Sequence, residues 1–445
     1  MNQSFSTSDA RAIPWPANTP SALPPVRGMV LKNGSYNGTL AAARDLGRNG
    51  VNVVLMEVLS DTPTAHSRYV EQRVHSPDLT NLDKYAQWLI QYGRENPGYV
   101  LYPTSDDLCW IMDAHRDELA KWFYLYQPAT GGIYELLNKK RLFHHCQAQG
   151  VEHPATWFPE PGHDIAALAR TLEYPVLIKP QTQAGLRIHT KGATCYSAQE
   201  FLDVWASSDK FFSYKQEVVD RDPSVSHLMV QRFHPEAASQ IYSLAGFVDP
   251  ENDIFLVRAS EKLLQQPIAI GVGLCFESRP VYEKPLQQLR RLIQELGYCG
   301  AFEVEFVHLK ESDRFLLIDF NSRFYGQMQF EISRNLPISR LCYYAAIGDR
   351  EKLLALAESC QEWDHSTVWK CRVNWMLKLF VTTQALAGNL SWAERRHWLN
   401  WTSSNNTVDP IHDRDDLEPF QSYKRRAITT LLRHPRSSFR KYFQK

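Results

Sequence analysis

Residues 300–326 read GAFEVEFVHLKESDRFLLIDFNSRFYG, and this stretch decides how the fold is interpreted. Ala301 to Leu309 and Phe315 to Phe320 are apolar runs rich in β-branched and aromatic residues. The charged segment Lys310 to Arg314 separates them. This pattern predicts a β-hairpin with a five-residue loop.

Acidic side chains lie inside both predicted strands. Glu303 and Glu305 are two residues apart, so they share one strand face. Asp319 lies near the end of the second strand, and Asn321 and Arg323 follow at steps of two. Carboxylate and amide oxygens suit Mg²⁺, and arginine suits a phosphate oxygen. The cluster therefore fits a magnesium–phosphate site, and it fits equally well a hairpin whose solvent-facing acids pair with the arginine.

The run LIDFNSR, preceded by VEF, resembles the metal-binding end of the ATP-grasp superfamily. That family usually has an acid or amide on one strand and Glu-x-Asn-Pro-Arg on the next. Asp319 stands where Glu is usual, and Ser322 stands where Pro is usual. The resemblance implies Mg²⁺ (or Mn²⁺) held by Glu305, Asp319 and Asn321, with Arg323 as a catalytic residue that steadies the transferring phosphoryl group. Glu303 is a weaker ligand candidate and could instead orient a lysine or the amine substrate.

Segments upstream match the same family in the same order. Residues 137–141 (LNKKR) open a helix, residues 174–180 (YPVLIKP) resemble the lysine strand, and residues 228–235 (LMVQRFHP) resemble the adenine hinge. Between the last two, residues 181–192 take the place of the phosphate flap. The resemblance implies that ATP contacts Lys139, Lys179, Lys191, Gln231 and Phe233, with Lys179 also catalytic.

The first hundred residues after the N-terminus contain a βαβ unit that resembles the domain preceding the nucleotide site in this family. Its loop, residues 34–38, reads G-x-x-x-G rather than the G-x-G-x-x-G of dinucleotide-binding folds, so the signal for NAD binding is weak. Four polar loop residues are either substrate-side groups or helix caps and turn formers: Ser35, Asn37, Ser105 and Asp106.

The expected fold class is α/β and α+β. A Rossmann-like pre-ATP-grasp domain precedes a two-lobed ATP-grasp domain and a small helical C-terminal extension. The expected boundaries are 1–26 for a disordered tail, 27–134 for the first domain, 135–350 for the ATP-grasp domain and 351–445 for the tryptophan-rich, basic extension.

Composition narrows the function classes. The 49 basic and 49 acidic residues give a formal net charge of zero, which argues against nucleic-acid binding. Eight scattered cysteines indicate reduced thiols and a cytoplasmic protein. No apolar run reaches the length of about 18 residues that a spanning helix needs. The basic stretch 423–445 leaves open a weak membrane-surface contact, and a homodimer is also left open.

The resemblance implies an ATP-dependent ligase of the carboxylate–amine type, similar to carbamoyl-phosphate synthases and D-aspartate ligases. Such an enzyme joins a small carboxylate to an amine through an acylphosphate and gives ADP and phosphate. The alternatives are carbamoyl-phosphate or biotin-carboxylase-like chemistry on bicarbonate, and a catalytically inactive nucleotide-binding regulatory protein. Substrate specificity is expected in the loops of the first domain and around Arg334 to Arg340.

Overall fold

The structure is a computed structural model that describes residues 23–59, 61–188, 192–208, 212–266, 271–364, 366–401 and 406–433. The first unit is a five-stranded parallel sheet in the order β3-β2-β1-β4-β5. Its central strands are apolar on both faces, as expected for parallel strands covered by helices. The strands are β1 (Gly28–Lys32), β2 (Val53–Glu57), β3 (Gln72–His75), β4 (Tyr99–Leu101) and β5 (Phe123–Leu125). The helices are α1 (Asn37–Arg48), α2 (Leu82–Glu95), α3 (Asp106–Ala114) and α4 (Arg116–Leu119).

The second unit is a small antiparallel sheet in the order β6-β9-β7-β8. One face packs on α7 and α8 around Val176, Ile178 and Phe201. The strands are β6 (Thr156–Trp157), β7 (Val176–Lys179), β8 (Ala193–Cys195) and β9 (Met229–Arg232). The helices that precede or cover them are α5 (Gly132–Leu137), α6 (Lys139–Ala148), α7 (Ile165–Thr171), α8 (Ala198–Ala206) and α9 (Gln216–Arg221).

The third unit is a seven-stranded sheet in the order β14-β13-β10-β11-β12-β15-β16. It contains the predicted hairpin, whose loop spans Lys310–Asp313 because Arg314 already pairs with Leu309. The strands are β10 (Ile241–Asp249), β11 (Ile254–Gln266), β12 (Val272–Arg279), β13 (Gly300–Leu309), β14 (Arg314–Asn321), β15 (Lys370–Arg372) and β16 (Thr407–Val408). The helices are α10 (Glu283–Glu295), α11 (Met328–Ser333), α12 (Ile338–Ile347), α13 (Arg350–Gln361), α14 (Asn374–Leu386), α15 (Trp392–Trp401) and α16 (Glu418–Arg433).

The parallel sheet and the seven-stranded sheet share buried cores. Helix α12 lies between them, and its residues Leu341 and Cys342 pack together with Leu31 of β1 and Phe247 of β10. Asp45 of α1 also pairs with Arg340 of α12 at 2.9 Å. Burying apolar surface on both sides of α12 fixes the loops that follow β1 and β4 against the end of β14.

The C-terminal extension differs from the predicted small helical addition. β15 pairs antiparallel with β12, and β16 pairs parallel with β15, so the extension lengthens the central sheet by two strands. Trp398 and Trp401 pack, partly buried, against a small core around Leu377 and Phe380. Burying this aromatic surface and pairing the edge of β12 are what tie the extension to the sheet.

No helix within the described ranges is both long enough and apolar enough to cross a membrane. Residues 434–445, half of the basic C-terminal stretch, lie outside the described residues, and a membrane-surface contact stays a prediction. All eight cysteines are unpaired and buried, as the prediction of reduced thiols requires.

Candidate active site

The acids and the amide of the hairpin lie opposite one another. In the register of β13 and β14, Glu303 pairs with Asn321 and Glu305 pairs with Asp319. Directly opposed residues of an antiparallel pair point to the same face, so the four side chains form one cluster. A register shift follows Glu305, where the ladder is locally disrupted. The predicted face-sharing of Glu303 and Glu305 is confirmed.

Two lysines from other elements neutralise this cluster. The ammonium of Lys139, at the start of α6, pairs with the Asp319 carboxylate. The ammonium of Lys262, in β11, lies 2.7 Å from Glu305. Both lysines are buried, with about 8% of Lys139 and 7% of Lys262 exposed. Sequence reasoning missed Lys262, although a charged residue within a long apolar strand is the same signal that identified the acids.

The predicted lysine strand places Lys179 beside the predicted hinge. The Lys179 ammonium donates to Oε1 of Gln231 at 2.8 Å, and Nε2 of Gln231 donates to the Thr156 hydroxyl at 3.0 Å. The amide of Gln231 therefore holds Lys179 in position. Phe233 follows directly after β9, and its backbone N–H donates to the Pro175 carbonyl at 2.9 Å.

Glu303 is the most deeply buried acid of the cluster, with 2% exposed. It accepts hydrogen bonds from the side-chain amides of Asn321 at 2.6 Å and Gln327 at 3.0 Å. Burial, and then the neighbouring charge of Glu305, raise the pKa of Glu303 above its ordinary value. Glu303 accepts a hydrogen bond from the NH₂ group of Asn321, so the carbonyl oxygen of that amide is directed away from Glu303 and can serve as a ligand for a cation.

Arg323 connects the hairpin to the first domain. Its guanidinium pairs with Asp106 at the start of α3, and it also donates to the Tyr36 hydroxyl at 3.2 Å. Tyr36 follows β1 and Asp106 follows β4, at the edge of the parallel sheet where its strand order reverses. Ligands of open α/β sheets bind at this switch point. Arg323 is therefore placed between the acidic cluster and the substrate-side loops that the sequence predicts.

A cavity of about 860 Å³, including the part open to solvent, lies between the small sheet and the seven-stranded sheet. We call it the inter-lobe cavity. Its apolar part is formed by Leu177, Phe233 and Ile318, and charged side chains gather at its other end. This division between apolar and polar lining is typical of ligand sites. The charged lining residues include Lys139, Lys179, Lys262, Glu305 and Asp319.

A second space, the adjoining chamber, meets the inter-lobe cavity at the acidic cluster. Lys139, Lys262, Glu305 and Asp319 line both spaces. The chamber continues past Asn321 and Arg323 to the loops of the first domain. Its lining also includes Ser35, Tyr36, Asn37, Asp106, Phe276, Glu303, Gln327, Arg372, Pro410 and Tyr423.

The structure thus brings together most of the predicted site residues. Lys139, Lys179, Gln231, Phe233, Glu305 and Asp319 line the inter-lobe cavity, and Asn321 and Arg323 line the chamber. Lys191 lies outside the described residues. Ser105 caps α3 by accepting from the Leu108 N–H at 3.3 Å. In the stretch Arg334 to Arg340, where specificity is predicted, Arg334 is buried and pairs with Glu331 at 2.9 Å, and Arg340 is partly buried and pairs with Asp45 at 2.9 Å.

The donor set fits a hard divalent cation. In the described part of the chain, no three or more His, Cys, Asp or Glu side chains could hold a metal between them. Two opposed carboxylates and an amide oxygen remain, and Mg²⁺ is commonly bound by one or two carboxylates together with substrate phosphates. Glu305 and Asp319 each contact a lysine ammonium, so their negative charges already attract cations at this position.

Comparison with known proteins agrees with this architecture. No family model matches the sequence. The chain is 22% identical to the D-aspartate ligase of Enterococcus faecium over 288 residues, and the aligned region covers 61% of this chain. The chain spans about 65% of the length of this curated relative.

Three solved structures show the same fold at low identity. The biotin carboxylase domain of 2-oxoglutarate carboxylase from Hydrogenobacter thermophilus, a dimer in complex with MgADP and bicarbonate, has a TM-score of 0.56 at 15% identity and covers 72% of this chain and 69% of its own. The L-amino acid ligase of Bacillus licheniformis has a TM-score of 0.52 at 14% identity and covers 73% and 74%. The N5-carboxyaminoimidazole synthetase of Staphylococcus aureus has a TM-score of 0.53 at 12% identity and covers 73% and 78%.

These proteins all belong to one superfamily. The chain resembles one member of the ATP-grasp superfamily in sequence and shares the fold of three others. The predicted mixture of parallel and antiparallel sheets is confirmed at this level. The positions of the ATP-grasp domain boundaries, a homodimer and the roles of individual site residues stay predictions.

Proposed function

We propose that this chain is an ATP-dependent ligase that joins a carboxylate to an amine and releases ADP and phosphate. The observation that carries the proposal is the shared border of the two spaces. Glu305 and Asp319 lie where the inter-lobe cavity meets the adjoining chamber. A nucleotide in the cavity would present its terminal phosphate at this border, and an acid in the chamber would approach it from the other side.

The nucleotide would lie with its base at the apolar end of the cavity, near Phe233 and Leu177. Lys139 and Lys179 would then meet the phosphates, with Lys191 added from the flap. A lysine ammonium is a compact charge suited to phosphate oxygens. Gln231, which bonds Lys179 at 2.8 Å, would keep that ammonium directed at the phosphates.

Mg²⁺ would be held by Glu305, Asp319 and Asn321. When bound, it neutralises charge on the β- and γ-phosphate oxygens. Binding requires Lys139 and Lys262 to release the two carboxylates, so both ammonium groups become available for phosphate oxygens. Glu303 would keep the carbonyl oxygen of Asn321 directed at the cation.

The proposed reaction has two steps. An oxygen of the substrate carboxylate attacks the γ-phosphorus, the bond to ADP breaks, and an acylphosphate forms. The amine nitrogen then attacks the acyl carbon, phosphate leaves with the bonding electron pair, and the nitrogen gives up a proton to solvent. Arg323 would contact the transferring group. The protein contributes mainly orientation and charge stabilisation, as in other phosphoryl transfers.

The first test is thermal unfolding with and without Mg-ATP. A ligand at about 100 times its Kd stabilises the folded state by about 2.7 kcal/mol. We expect a magnesium-dependent shift in wild type that is lost in Asp319→Ala. Glu311→Ala removes an exposed acid from the same hairpin loop and is the matched control, with an unchanged shift. A wild type that does not respond to millimolar Mg-ATP would contradict the site.

The second test follows the chemistry. ADP release is measured with small carboxylates, including amino acids, and hydroxylamine is used to trap an acylphosphate as a hydroxamate. Amino acids are the first choice because the similar ligases from Enterococcus and Bacillus are named for them. ADP release with bicarbonate and no organic acid would support the biotin-carboxylase-like alternative. Nucleotide binding without turnover on any acid would support the regulatory alternative.

A further inference from the structure

Helix α16 is attached to the first domain along one side. The hydroxyl of Ser422, a fully buried residue, lies 3.3 Å from the Asp61 carboxylate. One turn further along, the guanidinium of Arg426 donates to the backbone carbonyl of Asp61. These contacts direct the opposite side of α16 toward solvent.

The turn that leads into α16 is held by a buried ion pair. Arg44 of α1 is 1% exposed, and its Nε lies 2.9 Å from Oδ2 of Asp416. The same guanidinium donates to the carbonyls of Pro410 at 3.3 Å, Ile411 at 3.0 Å and Asp416 at 2.9 Å. Asp416 also accepts from the Ser67 hydroxyl at 2.7 Å. The start of α16 therefore has a fixed position against the first domain.

The outer side of α16 carries exposed aliphatic side chains. Ile428 and Leu432 are four residues apart, so they lie on one face of the helix, and they are 47% and 76% exposed. Leu417, directly before the helix, is 43% exposed. Isolated exposed aliphatic residues are common, whereas neighbours on one face indicate an interaction surface.

Basic side chains lie beside these aliphatic residues. Lys424 precedes Ile428 by four positions and Arg425 precedes it by three, so both are its neighbours on the helix surface. Glu418, the one acid in the sequence of α16, lies 3.8 Å from Arg425, and the two side chains are 58% and 59% exposed. An exposed pair of this kind contributes little to stability, so Arg425 can exchange Glu418 for an external anion.

The net charge of zero hides an uneven distribution. Residues 423–445 contain eight of the 49 Lys and Arg and none of the 49 Asp and Glu, so the remaining chain has 41 basic and 49 acidic residues. The excess of positive charge begins on α16 and continues to the last residue of the sequence. Such an asymmetry indicates an anionic partner for this end of the chain.

An anionic membrane surface fits both the charges and the aliphatic residues of α16. Lipid phosphates attract Lys and Arg, and the boundary between headgroups and acyl chains accepts aliphatic side chains. A nucleic acid would use the basic residues through its phosphates, but its backbone offers no apolar layer for Ile428 and Leu432. The combination therefore favours a lipid surface.

The helix also lies beside an entrance to the candidate active site. Arg426 contacts the loop that follows β2, and Val58 of this loop lines a polar space of about 1600 Å³, including the part open to solvent. That space reaches Tyr36, Asp106 and Arg323, which also line the adjoining chamber. A partner that binds α16 would therefore lie near this entrance.

We infer that the outer face of α16 (Lys424, Arg425, Ile428 and Leu432) docks the protein on an anionic lipid surface. The aliphatic side chains enter the headgroup boundary, and the basic side chains contact lipid phosphates. The helix lies along the surface and does not cross it. This docking does not depend on the proposed ligase activity.

Flotation of the full-length protein with lipid vesicles tests the inference. Vesicles of phosphatidylcholine alone are compared with vesicles of equal parts phosphatidylcholine and phosphatidylglycerol. We expect binding to the anionic vesicles at low salt and at least tenfold weaker binding to the neutral ones. Binding to the anionic vesicles should fall at about 0.5 M KCl, because salt at that concentration screens charges within about 5 Å.

Two double substitutions separate the charges from the aliphatic residues. A basic residue near an anionic membrane strengthens binding about fivefold, so Lys424→Gln with Arg425→Gln should weaken vesicle binding about 10- to 30-fold. Ile428→Ser with Leu432→Ser should weaken it at least about tenfold, because the aliphatic surface no longer enters the lipid. Thermal unfolding should be unchanged in both variants, since the replaced side chains face outward.

Leu386→Ser with Lys378→Gln is the matched control, because it changes one exposed aliphatic and one exposed basic residue of α14 in the same extension. This variant should bind vesicles as wild type does. Binding to neither kind of vesicle, equal binding to both, or unchanged binding in both α16 variants would overturn the inference. A wild-type dimer that Ile428→Ser with Leu432→Ser dissociates, without any vesicle binding, would also overturn it and assign the face to a second copy of the chain. Vesicle binding needs no nucleotide and no turnover, so these outcomes are independent of the tests of the ligase.

Discussion

Replacing Arg44 with methionine should release the C-terminal segment from the rest of the molecule. Arg44 and Asp416 have side chains that are 1% and 2% exposed. Methionine keeps most of the apolar stem volume but takes the guanidinium away from the buried Asp416 carboxylate, which keeps the Ser67 hydroxyl and the Arg68 N–H as donors. Breaking a buried ion pair from one side costs about 3–5 kcal/mol.

Hydrogen exchange measured by mass spectrometry locates that loss. Each 1.36 kcal/mol corresponds to a tenfold change in an equilibrium constant. A loss of about 3 kcal/mol should therefore speed exchange by at least about 100-fold in peptides from residues 406–433 whose amides open with this segment. Peptides from β7, β13 and β14 should keep their protection, because the contacts of Arg44 lie at the other end of the chamber.

The matched control is Arg48→Met, one turn further along α1. Arg48 pairs with Asp413 of the same C-terminal turn, but the two side chains are 33% and 20% exposed. Such a pair contributes about 0–1 kcal/mol, so exchange in residues 406–433 should change by less than about tenfold. Equal effects of the two substitutions, or an Arg44→Met effect below about tenfold, would refute the claim that the buried pair holds the C-terminal segment.

Two further predictions concern buried charges near the site. Burial lowers the pKa of Lys32 to about 8, and the negative charges of Glu57 and Asp78 partly offset this effect. The unfolded state therefore binds more protons than the folded state between about pH 8 and 10.5. Relative to Lys32→Met, the free energy of unfolding of wild type should therefore rise by up to about 3 kcal/mol over this window. Parallel pH dependences of the two proteins in urea denaturation would contradict the lowered pKa of Lys32. Glu303→Leu removes the carboxylate that accepts hydrogen bonds from the Asn321 and Gln327 amides. It should weaken Mn²⁺ binding about 10- to 100-fold, as measured by electron paramagnetic resonance, and Glu303→Gln should have an intermediate effect. Unchanged Mn²⁺ affinity in Glu303→Leu would exclude a positioning role for Glu303.

The part of the site that could be predicted from sequence is the part encoded locally. The hairpin is marked by two apolar runs of β-branched and aromatic residues, and a period of two places Glu303 and Glu305 on one face. The pairing of Glu305 with Asp319 depends in addition on the register shift after Glu305, because the register that starts at Leu309 and Arg314 would place Ile318 opposite Glu305. Lys179 at the end of β7 can be predicted for the same reason, because a short buried strand before it and a proline after it identify its position.

The remaining parts depend on contacts between distant segments. Lys262 meets Glu305 only because β10 lies between β11 and β13 in the sheet, and strand order is not readable from either strand alone. The stretch Arg334 to Arg340 is predicted near the substrate, and within it the packing of α12 places Arg340 against Asp45 of α1. The sequence alone does not show which of these two basic residues meets the acidic cluster, because tertiary packing decides it.

The C-terminal boundary is the clearest case, because the point where sequence resemblance fades is not a physical boundary. A chain ending at residue 350 would leave the backbone of β12 without its partner β15, which creates an exposed sheet edge. It would also leave Arg44 without Asp416, Pro410 and Ile411, its contacts in the buried network. The extension is therefore joined to the central sheet and to the first domain by buried contacts. Because Cys371, Pro410 and Tyr423 also line the adjoining chamber, the shape of that chamber depends on the extension as well as on the first domain and the central sheet.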